Sequence, residues 1–190
     1  SVTATFRESV IVDNASGNNP ALTLVVGSNN QAATYASGDN STTLVFQYTI
    51  LAGDNDTNGI SIGENALDLN GGTIMDAAGN NATLTHSSVA DNSSYKVDTT
   101  PPTVSGVAIT SAAGIQNNFL NADDNVSVTA TFRESVIVDN ASGNNPALTL
   151  VVGSNNQAAP YASENNSTTL VFQYTIQAGD NDTNGISIGE

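Results

Sequence analysis

Thr43-Leu44-Val45-Phe46-Gln47-Tyr48-Thr49-Ile50 alternates side chain by side chain, with Leu44, Phe46, Tyr48 and Ile50 on one side and Thr43, Val45, Gln47 and Thr49 on the other. A period of two residues is the mark of a strand that buries one face and wets the other. The same rhythm runs through Val2, Ala4 and Phe6, and through Leu22, Leu24 and Val26. Shorter extended stretches are predicted at residues 32–35, 60–62, 81–85, 95–97 and 104–109. Turn clusters of Gly, Asn, Asp and Ser separate them at residues 14–20, 27–30, 37–41 and 53–59. The apolar residues are mostly Val, Ile, Leu and Ala, with Thr between them, which favours strands over helices. One helical turn is expected, at residues 65–69. Short strands at this spacing predict an all-β chain of Ig-like Greek-key β-sandwich domains in tandem.

The chain repeats itself. Ser1-Val2-Thr3-Ala4-Thr5-Phe6 recurs at Ser127, and the match runs on to Glu64 and Glu190, a period of 126 residues. Only Thr34/Pro160, Gly38/Glu164, Asp39/Asn165 and Leu51/Gln177 differ. Near-identical copies suit an array that gains length, because a single active site gains nothing from being duplicated in this way. Val97-Asp98-Thr99-Thr100-Pro101-Pro102 punctuates the repeat, since paired prolines stiffen the backbone in an extended form. The expected domains are therefore 1–96 and 97–190, with the linker at 97–102. On that division the first lacks the counterpart of 97–126 and the second lacks the counterpart of 65–96. Either the chain is a window on a longer polymer, or copies complete one another and self-associate as a filament.

Three Lys and Arg face eighteen Asp and Glu, a formal net charge of −15. With Arg7, Lys96 and Arg133 as the only permanent cations, phosphate neutralisation is out of reach. Nucleic acid and anionic membranes are thus excluded as expected partners. No apolar run approaches the ~20 residues of a membrane span, so no membrane insertion is expected. The chain opens with neither Met nor a signal sequence, which predicts an internal stretch of a longer protein. It has no Cys, and with this acidity that points to an exported protein held together by something other than disulfides.

Asp54-Asn55-Asp56-Thr57-Asn58-Gly59, repeated as Asp180, Asp182 and Asn184 before Gly185, places oxygen side chains at alternate positions ahead of a glycine. That is the first half of a calcium loop, with Glu64 one place early for the closing ligand of an EF-hand. A plain polar hairpin turn is the other reading. A second acidic set comprises Asp98 in the linker, Asp123 and Asp124 before a strand, Glu8 and Glu134, and Asp76 with Asn80. Carboxylates converging on a linker would repel unless a divalent ion bridged them, so Ca2+ is expected there against a null of scattered solvated charges. His86, the sole histidine, comes with no nucleophile-elbow pattern, and catalysis is not expected. Trp is absent and the aromatics sit mostly at inward strand positions. A carbohydrate-binding module is therefore the weaker alternative, to be revived by exposure of Tyr35 and Tyr161.

The run Val97-Asp98-Thr99-Thr100-Pro101-Pro102-Thr103-Val104, the stretch from Ser127 to Phe132 with Glu134, the segment from Gln173 to Asp180, and Asn70-Gly-Gly-Thr-Ile-Met-Asp76-Ala-Ala-Gly-Asn80 together resemble the bacterial Ig-like repeats of giant biofilm and RTX-type adhesins. The resemblance implies a calcium-stabilised extender repeat on the bacterial cell surface. Its partners would be the neighbouring repeats of the same chain, together spacing a distal tip for cell adhesion. It carries calcium ligation onto Asp98, Asp54, Asp56 and Asp76. The unit is longer than many such repeats, partly through the Asn-rich stretch at residues 14–19.

Overall fold

The computed structural model describes every residue except Asn14, Ala15, Ser16, Asn18, Asn140, Ser142, Asn144 and Glu190. Part of the Asn-rich stretch at residues 14–19 therefore lies outside the described residues. Among those described there is no helix, and the chain forms two compact units, Ser1–Thr100 and Pro101–Glu190.

The first unit contains β1 (Val2–Asp13), β2 (Ala21–Val26), β3 (Asn29–Ser37), β4 (Ser41–Gln47), β5 (Leu67–Asp68) and β6 (Thr73–Met75). They form one antiparallel sheet in the order β5-β2-β3-β4-β1-β6. The second contains β7 (Val104–Ala113), β8 (Asn125–Val136), β9 (Ala147–Val152), β10 (Asn155–Ser163), β11 (Ser167–Thr175) and β12 (Ser187–Ile188), in the order β12-β9-β10-β11-β8-β7.

Alternation decides the core. Leu22, Leu24, Val26, Ala33, Leu44 and Phe46 lie on one face of the first sheet and are buried. Ile60, Ile62, Ala82, Leu84 and Val97 pack over that face and make a second layer. The result is a two-layer arrangement of β-sandwich character. Burying a side chain the size of Leu44 or Phe46 contributes about 1.5–3 kcal/mol. β1 reaches two partners because its register breaks between Thr5 and Val10: Val2–Thr5 pair with β4, whereas Ile11, Val12 and Asp13 pair with β6.

The duplicated sequence rebuilds the same ladder. Val2 faces Phe46 as Val128 faces Phe172, and Leu22 faces Ala33 as Leu148 faces Ala159. The four differences are absorbed locally. Asn165 Oδ1 accepts the Val138 N–H (2.7 Å) as Asp39 Oδ1 accepts that of Val12 (2.8 Å). Pro160 offers no N–H, and the pair that Thr34 makes with Gln47 is missing at its position.

Two expectations need correction. The helical turn at residues 65–69 is a turn followed by β5. Asn65 takes φ +53, which no right-handed helix accommodates, and Leu67 is drawn into the core opposite Leu22. Residues 81–85 and 95–97 are extended, but they touch the sheet through single bridges, Met75 to Asn81 and Asp56 to Val97, rather than as strands. The expected boundary before Val97 also shifts. Val97 is buried in the first core and Thr99 and Thr100 bond to Asn55, so the first unit runs to Thr100.

Candidate functional site

The loop after β4 is organised around two buried carboxylates. Asp54 and Asp56 are only 5% and 3% exposed. Asp54 Oδ2 accepts the Tyr48 hydroxyl (2.7 Å) and the Leu51 N–H (2.8 Å), and its Oδ1 accepts Gln31 Nε2 (3.0 Å). Asp56 Oδ2 accepts the Gly27 N–H (2.8 Å), while Oδ1 accepts those of Gly59 (2.7 Å) and Asn58 (3.3 Å). Buried charge is tolerated only when its lone pairs are met in this way. The bond from the Leu51 amide foremost holds the Asp54 carboxyl below its ordinary value, and the bond from Gly27 does the same for Asp56.

Gly27 is the residue that lets the β2–β3 turn approach. It takes φ +60, and a Cβ there would lie 2.2 Å from the Asn55 carbonyl oxygen. Any side chain would push the turn off the carboxylate that its N–H serves.

The same loop grips the linker. Asp56 and Val97 exchange backbone bonds of 2.6 and 2.8 Å. Thr99 Oγ1 donates to the Asp54 carbonyl (2.9 Å) and accepts the Gly53 N–H (2.9 Å). Asn55 Oδ1 accepts the Thr99 N–H (3.0 Å) and the Thr100 hydroxyl (3.2 Å).

The second copy repeats the arrangement. Asp180 Oδ2 accepts the Tyr174 hydroxyl (2.6 Å) and the Gln177 N–H (2.8 Å). Asp182 Oδ2 accepts the Gly153 N–H (2.8 Å), and its Oδ1 accepts those of Gly185 (2.8 Å) and Asn184 (3.1 Å). Because position 51/177 contributes its backbone N–H, Leu51 and Gln177 serve equally. Burial first, then the bond to Asp180 and its charge, push the Tyr174 hydroxyl up to about 12.

This donor set does not fit a calcium loop. Every carboxylate oxygen of Asp54 and Asp56 already faces N–H or O–H hydrogens, which present positive charge where a cation would have to sit. Asn58 turns its amide nitrogen to Asp91, and Glu64 is exposed. Among the described residues, no three His, Cys, Asp or Glu gather closely enough to hold a metal ion.

The second acidic set is dispersed over separate local roles. Asp98 caps the linker by accepting the Thr100 N–H (2.9 Å). Asp124 accepts the Asn121 N–H (2.7 Å) in the turn before β8, where Asp123 takes φ +75. Glu134 lies on β8. Asp76 closes its own turn on the N–H groups of Ala78 (2.9 Å) and Asn80 (2.8 Å) and on Asn80 Nδ2 (2.7 Å), and the Asn80 side chain foremost lowers its pKa. Glu8 and Asp76 do line one open groove of ≈ 550 Å³ together with Arg7 and Asn80.

His86 is a structural tie. Its Nε2 accepts the Ala66 N–H (2.8 Å), which leaves Nδ1 as the donor to the Ser87 carbonyl (2.8 Å). Tyr35 and Tyr161 are half-buried and meet Phe46 and Phe172 edge-on, at 6.1 and 6.2 Å between ring centroids. They form no exposed platform.

Sequence reasoning missed Gly27, Gln31, Tyr48, Asn55 and Thr99 as parts of this loop. Only the short Tyr48-to-Asp54 spacing was a local clue. Gly27 and Thr99 reach the loop through tertiary contact. No protein-family model, curated protein or solved structure matches the chain.

Proposed function

We propose that the chain is a length of the stalk of an extracellular bacterial adhesin, in which each 126-residue period is a spacer that adds reach to a distal binding tip. The observation that carries this reading is the ladder-for-ladder duplication, in which 126-residue-shifted strands pair in the same register and close the same carboxylate loop. Selection for length preserves the architecture of every copy, whereas selection for one reaction preserves one site. The spatial order β2-β3-β4-β1 is that of a Greek key, which supports an Ig-like sandwich as the repeating domain.

The stiffness of the linker comes, on this reading, from the hydrogen-bonded clamp of residues 53–56 on residues 97–100 in place of bridging calcium. The net charge of −15 keeps an array soluble and disperses neighbouring arrays. The test is the maximum dimension, by small-angle scattering, of chains carrying two, three and four periods. A constant increment per period is expected, and a dimension that levels off with added copies would overturn the spacer reading.

A further inference from the structure

The duplication contains its own control. In the second unit, β7 lies on the outer edge of β8, with Ile109 opposite Val128, Ala108 opposite Thr129, Val107 opposite Ala130 and Gly106 opposite Thr131. In the first unit the same edge of β1 carries no strand, since the sheet order there runs β4-β1-β6 and β6 pairs only with Ile11–Asp13. The sequences of the two acceptor edges, Ser1–Phe6 and Ser127–Phe132, are identical. Burial follows the difference. Val128 and Ala130 are 0% and 3% exposed, whereas Val2 and Ala4 are half-buried.

The connection after β7 matters as much as the strand. Asp124 and Asp123 exchange backbone bonds with Ile176 (2.8 and 2.9 Å) and cover it, so Ile176 is 5% exposed while its twin Ile50 is 40% exposed. An apolar groove of ≈ 480 Å³ in the first unit has Val2, Leu24, Tyr48 and Ile50 among its lining, with Val89 and Tyr95 on one wall. The corresponding groove of the second unit is walled instead by Ile109, Phe119 and Leu120. Each groove thus holds one of two walls, and the two walls come from different segments of the repeat.

We propose that the β1 edge over Val2–Phe6, with the groove beside it, is the docking site for a strand of β7 sequence supplied in cis ahead of it. The register is that of β7 on β8: the residue equivalent to Ile109 opposite Val2, and that equivalent to Val107 opposite Ala4. The edge is not a general adhesive surface. Its partner is a segment of alternating Val, Ile and Ala joined through the sequence of Gly114–Asp124. The source of that strand rests on the tandem-array reading, while the pairing itself rests on the shared register.

The experiment fuses the sequence of residues 103–126 in front of Ser1 of the full chain and follows amide hydrogen exchange by NMR, with a scrambled fusion as control. The outward edge amides of residues 2–6 should slow at least ~10-fold, toward the rates of residues 128–132, equivalent to about 1.4 kcal/mol of local opening free energy. Exchange equal to that of the scrambled fusion would overturn the proposal. So would protection that appears only in a concentration-dependent dimer, which would make a second copy the occupant. If the fusion aggregates, a synthetic peptide of residues 103–120 added to the unmodified chain decides the matter by the same amides. The dimension of multi-period chains is a separate measurement, so the spacer reading can fail while docking holds, and the reverse.

Discussion

Gly59 and Gly185 occupy the same position in the two copies, with φ +108 and +102, yet their surroundings differ. A Cβ on Gly59 would lie 2.0 Å from the Asn92 carbonyl oxygen and 2.4 Å from its carbon, whereas Gly185 has nothing within 4 Å. Alanine at either site meets the same backbone strain of about 1–3 kcal/mol. At Gly59 the Asn92 backbone must also retreat by more than ~1 Å to restore van der Waals contact. That motion breaks the Asn92 N–H bond to the Ile60 carbonyl (3.2 Å) and drags on the Ile62–Val89 bridge (3.0 and 2.8 Å). At about 1 kcal/mol for each bond lost, Gly59→Ala should exceed Gly185→Ala by roughly 2–3 kcal/mol. The assay is hydrogen exchange in the full chain, read at Ser61, Ile62 and Val89 in the first unit and at Ser187 in the second. An excess acceleration of about 30- to 150-fold is expected in the first unit. Equal effects at the two sites, or a larger one at Gly185, would refute the assignment of residues 89–95 as the segment that closes over this loop.

Leu44→Ala, at a side chain with 0% exposure, should destabilise the first unit by about 2–5 kcal/mol in chemical denaturation. Asp54, Asp56 and Asp182 have carboxyls held below the ordinary 3.8, so their contribution is complete above that value and is lost as pH falls through the lower folded pKa values. The Gly27 and Gly153 amide resonances should therefore hold steady down to about pH 4 and shift only below it. Tyr174 is the opposite case, because its raised pKa favours folding while the phenol is neutral. Its stabilisation is present below the ordinary 10.0 and disappears as pH rises through about 12, which ultraviolet titration will follow. Thermal melts in calcium and in excess chelator should coincide. A stabilisation of about 2.7 kcal/mol, as a site saturated at a hundred times its Kd would give, would restore a metal to the scheme.

What the sequence by itself determined was the part governed by local periodicity and by identity between copies. Leu22, Leu24, Val26, Leu44 and Phe46 had to share a buried face, because side chains two apart on a strand point the same way. The repeat had to fold twice into the same ladder because it is the same polymer. Local composition likewise marked Asp54, Asp56 and Asn58 as an organised loop.

Whether that loop would hold a cation or hydrogen-bond donors was decided by tertiary structure alone. The alternating oxygens are compatible with either, and the choice rests on the Gly27 amide and on Gln31, which arrive from the β2–β3 hairpin. Likewise, Val97-Asp98-Thr99-Thr100 reads as a free linker in one dimension, because nothing in its composition records that Asn55 and Asp56 are waiting to bond it. Periodicity reports the environment of a residue relative to its neighbours in the chain. Hydrogen bonds between residues 29 or 44 positions apart depend on how the layers close, and that is a property of the folded molecule.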